Sequence, residues 1–160
     1  MLKPNYEAEM SVIGAIMIDY KKVMPIAAMR LTANDFKTSE LRTIYSACLK
    51  LSHSGKAIDA VTVTTVCGDE YKKTIVEAAN MVPSVSHASN YIAAVKARSQ
   101  QIEAYNKAMQ FIESITSEPM TIEQCRGSAA EIVNSFNENT RQEAVTAEQG
   151  YLDFIDRIEN

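Results

Sequence analysis

Apolar residues recur at helical spacing along nearly the whole chain, interrupted by short polar or proline-bearing breaks. Pro4-Asn5 sets a first start, with Asn5 as N-cap and Glu7 and Glu9 in the opening turn, where the helix dipole favours anions. From Ala8 to Ile18 the apolar positions are almost continuous, which predicts a helix buried on most sides. Asp19-Tyr20-Lys21-Lys22 ends or pauses it, and Pro25 suits the first turn of a second helix running to Leu31. Leu41, Ile44, Tyr45, Cys48 and Leu51 mark one face of a third helix, closed by Ser54-Gly55. Ala57 to Cys67 is rich in Val and Thr and reads as a strand on propensity alone. A lone strand in a helical chain has no partner, and Asp59 can cap, so a helix is preferred there. A further short helix covers about Asp69 to Asn80, and Val82-Pro83-Ser84 breaks it.

The clearest signal follows. No Gly or Pro intervenes from Ser89 to Ile115, and Val95, Ile102, Tyr105, Met109 and Ile112 fall on heptad positions, with Arg98 interrupting the seam. After Ser117-Glu118-Pro119, Thr121 and Gln124 form a capping box. Ile122, Cys125, Ala129, Ile132 and Phe136 then recur at alternating spacings of 3 and 4. Two such helices joined by a short proline-bearing turn predict an antiparallel hairpin. Each helix also carries apolar residues off its seam: Phe111 and Ile115 on the first, Ala130 and Val133 on the second. A hairpin has one inner face, so this surplus must meet the rest of the domain or another subunit.

Asn137 to Ala147 is polar and aperiodic and reads as a linker. Thr146 and Gln149 then open a last helix, imperfectly because Gly150 follows, with Tyr151, Leu152, Ile155 and Ile158 on one stripe. A dozen or so residues with a single apolar stripe do not hold a helix alone, so this segment is expected to dock. The fold class predicted is all-α: a globular head over 1–96, a hairpin over 97–137, a linker over 138–147 and an amphipathic helix over 148–160.

Composition narrows the function classes. The 160 residues are 46% apolar with five glycines and four prolines, enough for one real core. The most apolar stretch, Met10 to Ile18, is far short of the roughly 18 residues of a membrane span. The three cysteines are scattered and never paired as C-x-x-C, which fits a reducing cytoplasm. Charge is uneven: residues 1–100 hold 12 Lys/Arg against 9 Asp/Glu, and residues 101–160 hold 4 against 11. That acidic last third argues against nucleic acid as its partner. Lys21, Lys22, Lys72, Lys73, Lys96 and Arg98 are basic but lack interleaved aromatics. No P-loop, nucleophile elbow or H-E-x-x-H motif is present, and neither His53 nor His87 has a ligand partner at i+3 or i+4. The residues alone therefore predict a helical interaction module with no cofactor and no metal, not an enzyme.

One family shows these features in the same order. Pro4-Asn5-x-Glu7-Ala8-Glu9-x-Ser11-Val12-Ile13-Gly14-Ala15-x-Met17-x-Asp19 resembles the start of replicative DNA helicases of the DnaB type. Asp35-Phe36, the Leu41-to-Leu51 helix, Gly55-Lys56-x-Ile58-Asp59-x-Val61-Thr62 and Val82-Pro83-Ser84, with Tyr91 and Val95 downstream, continue the resemblance through about residue 136. Three departures stand out: the ATPase domain with its P-loop has no counterpart here, the segment between Thr62 and Tyr71 is shorter, and Ala97 to Gln101 is less basic.

The resemblance implies a head and hairpin in which hairpins pair two heads, and three pairs form a collar above the motor ring. The collar receives the primase C-terminal domain, and the linker helix docks on a neighbouring motor domain. On that implication Tyr105, Met109, Phe111, Ile112, Ile115, Ile132, Val133 and Phe136 are candidates for the subunit interface. Tyr151, Leu152, Ile155 and Ile158 are candidates for the neighbour-docking surface. The expected partners are further copies of the chain, primase, and a helicase motor domain or loader. Two rival readings are a free-standing regulator that mimics the head, and a DNA-steering collar using Lys21, Lys22, Lys72 and Lys73.

Overall fold

The computed structural model describes residues 1–137. Among these, seven α-helices and three 3-10 turns occur and no strand, so the chain is all-α as its spacing predicts. The helices are α1 (Tyr6–Ile18), α2 (Tyr20–Arg30), α3 (Ser39–His53), α4 (Ala60–Cys67), α5 (Lys72–Met81), α6 (Ala88–Ser117) and α7 (Ile122–Asn134). A first compact unit spans Met1–Ile102 and a second begins at Glu103.

In the first unit α1 is the central helix, packed against α2, α3 and α5, while α4 bridges α3 and α5. Val12, Ile13, Ala15 and Ile16 are fully buried, as expected of an almost uninterrupted apolar run. Asn5 caps this helix by accepting the Ala8 N–H at 3.1 Å. Gly14 sets the distance to α5, because a Cβ at this position would collide with the carbonyl oxygen of Ala78. The first turns of α6 contribute Ala88, Ile92 and Val95 to the same core. Phe36 and Tyr45 stack inside it with ring centroids 4.4 Å apart, and the Tyr45 hydroxyl donates to the Leu31 carbonyl at 3.3 Å. Burial, reinforced by Cys48 and Asp35 nearby, pushes the Tyr45 phenol far above its usual range.

Two local readings change and a third holds. α2 starts at Tyr20, because the Asp19 side chain accepts the Lys22 N–H and caps it. Pro25 consequently sits in the second turn, not the first, and its missing N–H frees the carbonyl of Lys21, an exposed residue. The Val/Thr-rich patch is helical, as preferred. Asp59 accepts the N–H groups of Val61 and Thr62 at 2.9 and 2.8 Å, and the Thr62 hydroxyl closes the box. Those backbone donors, the Thr62 N–H first, hold the Asp59 carboxyl below its ordinary range. The expected helix from Asp69 divides into a 3-10 turn at Asp69–Tyr71 and α5, with Gly68 at φ 118° before it.

Glu9 and Asp35 carry more than the sequence suggested. Glu7 is exposed and Glu9 is 2% exposed, so only Glu7 remains a solvated residue of the first turn. The Glu9 carboxylate accepts the N–H groups of Lys37 and Thr38 at 2.9 and 3.2 Å, satisfying backbone donors just ahead of α3 from a different helix. Asp35, 1% exposed, accepts the Thr32 N–H, the Thr32 hydroxyl and the Ser99 hydroxyl at 2.8, 3.0 and 2.8 Å. Lys96, itself buried, pairs with Asp35 at 3.3 Å and ties α6 to the segment before α3. A second link joins α3 to α5, where the Thr74 hydroxyl donates to Glu40.

Candidate interaction surface

The second unit begins with the latter part of α6 and continues through a turn at Glu118–Thr121 into α7. The predicted capping box is present: Thr121 Oγ1 accepts the Gln124 N–H at 3.2 Å, and Gln124 Oε1 accepts the Thr121 N–H at 2.8 Å. Lys107 ties the two arms by donating to the Glu131 carbonyl at 3.2 Å, and it pairs with Glu103 along its own helix. Together with the short turn, this makes the antiparallel hairpin.

The contact face of the hairpin differs from the heptad reading. On α6 Ala104 is buried and Glu103, Tyr105, Lys107, Ala108 and Phe111 are half-buried, centred on the Ala104, Lys107, Ala108 and Phe111 line; on α7 Cys125, Ser128 and Ile132 are half-buried, and Ser135, its C-cap, is buried. Phe111, placed off the seam by spacing, is half-buried, while Met109 and Ile112, placed on it, are 47% and 53% exposed. The physical reason is that a straight helix turns 3.6 residues per turn and drifts against a strict heptad, so a seam begun at Val95 does not stay inward through Ile112.

The exposed apolar residues form two stripes. Met109 and Ile112, continuing the line of half-buried Tyr105, form the α6 stripe; Ile122, Ala129 and Val133 form the α7 stripe. At about 100° per residue, each stripe lies roughly 100° from its helix's shielded face, in the same rotational sense. In an antiparallel pair, equal offsets in the same sense fall on the same side. The hairpin therefore has one side lined by Met109, Ile112, Ile122 and Val133, with Ile115 and Phe136 also exposed, at 48% and 52%. Ile122, 71% exposed, was placed on the inner seam by spacing and belongs instead to this bare side. Tyr151, Leu152, Ile155 and Ile158 lie outside the described residues.

The remaining candidates are dispersed. His53 and His87 are both exposed, and no cluster of His, Cys, Asp or Glu able to hold a metal occurs among the described residues. No helix there is long and apolar enough to cross a membrane. Cys48 is buried, and burial, with Cys67 adding, pushes its thiol up to about 12. Lys96 and Arg98, which suggested a basic pair, are engaged with the protein itself: Lys96 with Asp35, and Arg98 donating to the Lys3 carbonyl at 2.7 Å.

The described residues hold two all-α units, a helical head and a helical hairpin with a bare apolar side. A family model, DnaB-like helicase N terminal domain, matches residues 1–97, and the chain belongs to that family. The crystal structure of the N-terminal domain of DnaB helicase from Mycobacterium tuberculosis is similar, with a TM-score of 0.72 at 20% identity over 84% of this chain and 99% of that one. A DnaB-like replicative helicase, described with its interactions with primase, is also similar, with a TM-score of 0.67 at 22% identity. That match covers 89% of this chain and 35% of the helicase. At these identities the two structures speak for the fold. No curated protein matches the chain by sequence.

Proposed function

We propose that this chain serves as the N-terminal region of a replicative DNA helicase, as an assembly collar and docking platform for primase or loader, with no catalysis of its own. The observation that carries this reading is the hairpin's bare side. Met109, Ile112, Ile122 and Val133, with Ile115 and Phe136, put six large apolar side chains in water on a two-helix element. A monomer rarely leaves such a patch uncovered, and a second hairpin of the same kind covers it in a two-fold pair. Membership of the DnaB-like family supports the replication context, and the similar helicase described with its interactions with primase supports the choice of partner. Further copies, the primase C-terminal domain and a neighbouring motor domain are the partners of this reading. The subunit contacts fall to the exposed candidates, with Phe111 and Ile132 holding the two arms together.

Calorimetric titration of the full chain with a primase C-terminal domain tests the platform. Saturable binding is expected, weakened roughly tenfold when Met109→Glu and Ile112→Glu prevent pairing, because the paired collar presents its sites together. Absence of binding at high micromolar concentration would remove primase from the account.

A further inference from the structure

The outward half of α2 is built against the needs of its own helix. At about 100° per residue, Lys21, Pro25, Met29, Lys22, Ile26 and Arg30 fill one continuous arc in that order, opposite the buried Val23, Met24 and Ala27. All six are exposed, Met29 to 68%. Lys21 and Lys22 stand in the first turn, where the helix dipole disfavours cations, and no acid follows the Asp19 cap there. Pro25 removes a backbone hydrogen bond from the second turn, and Met29 stays mostly in water. None of the ion pairs among the described residues involves Lys21, Lys22 or Arg30. Residues that break local rules without serving the core mark a surface kept for another purpose.

Cations bracket the apolar residues along the helix and across the arc: Lys21 and Lys22 precede Pro25, and Arg30 follows Met29. The complement is a second helix with an apolar stripe and carboxylates at both ends of it. The length of α2, about 16 Å, takes about three turns of such a helix. A nucleic-acid backbone would answer the cations but bury nothing against Ile26 and Met29. Within this chain, the hairpin's bare side is taken up by pairing, and residues 148–160 are expected on a motor domain. We infer that the exposed face of α2 docks an acidic amphipathic helix of a different protein. Ile26 and Met29 pack against its stripe, and Lys21, Lys22 and Arg30 meet its carboxylates. The inference stands apart from hairpin pairing, since all six residues belong to the first unit.

Fluorescence anisotropy of a labelled synthetic peptide, with leucines on one helical stripe and glutamates at both ends of it, tests this on the full chain. Saturable binding of one peptide per chain is expected. It should weaken about tenfold in Lys22→Glu and about tenfold in Ile26→Ser with Met29→Ser, as for central interface residues. These positions are exposed, so thermal unfolding of the variants should stay close to that of the parent chain. No binding at high micromolar peptide would overturn the inference. Equal binding of a shuffled peptide of the same composition would overturn it in favour of charge attraction alone. Oligo-dT binding that falls in Lys22→Glu but not in the serine variant, with the peptide left unbound, would overturn it in favour of a nucleic-acid face. Peptide binding lost in Met109→Glu with Ile112→Glu, yet kept in the α2 variants, would put the peptide on the hairpin and overturn it as well. A capacity that falls as the chain assembles would overturn it in favour of a second copy on α2. Peptide binding by a chain that stays monomeric would support this inference while refuting the pairing reading.

Discussion

Asp35→Ala is expected to cost about 3–5 kcal/mol of folding stability, because it leaves Lys96 as a buried charge without its counter-ion. The same change strips a partner from the half-buried Thr32 N–H and the buried Ser99 hydroxyl, so several donors lose their acceptor together. Adding Lys96→Met removes the stranded charge and fills the space with an apolar chain of similar reach. More than half of the lost stability should then return, since a buried pair replaced as a unit is often close to neutral. Urea unfolding of the three proteins measures both quantities. A loss below about 1 kcal/mol in Asp35→Ala would show that the network contributes little.

Gly14→Ala and Gly127→Ala are expected to have opposite signs. Both glycines lie inside helices, where alanine is intrinsically better by about 1 kcal/mol. At Gly127 an added Cβ meets no atom within 4 Å, so that gain should appear as a modest stabilisation. At Gly14 the Cβ would strike the Ala78 carbonyl, a backbone atom that cannot rotate aside. Separating α1 from α5 loosens a close-packed core and outweighs the propensity gain, for a net cost of about 2–3 kcal/mol. Thermal or urea unfolding resolves both changes, and stabilisation at Gly14 would contradict the close approach.

The contrast between those glycines shows how far the sequence could be read. Helices are legible because apolar spacing and caps are local: Asn5, Asp59 and Thr121 each bond to N–H groups within three residues, and the sequence reading named all three as caps. Pro25 misled because proline favours a first turn, whereas Asp19 captured the cap a turn earlier. The task of Glu9 and the ties of Asp35 to Lys96 and Ser99 were hidden, since those partners lie 28 to 64 residues away and no periodicity links them. Gly14 stood out only as part of a family motif; the reason for it is the neighbouring helix. At the candidate interface the surplus of apolar residues was legible, because it needs only counting. Which ones face outward was legible in part: Ile115, Ala130 and Val133, placed off the seams, are exposed. Phe111 is half-buried, whereas the seam positions Met109, Ile112 and Ile122 are bare, because heptad spacing does not follow a straight helix.

Sedimentation equilibrium of the full chain over a wide concentration range is the most direct test of hairpin pairing. The expected result is a mass rising from 17.7 kDa to at least twice that value, with Met109→Glu plus Ile112→Glu held at the lower limit. A mass of 17.7 kDa at every concentration, unchanged by those substitutions, would contradict it.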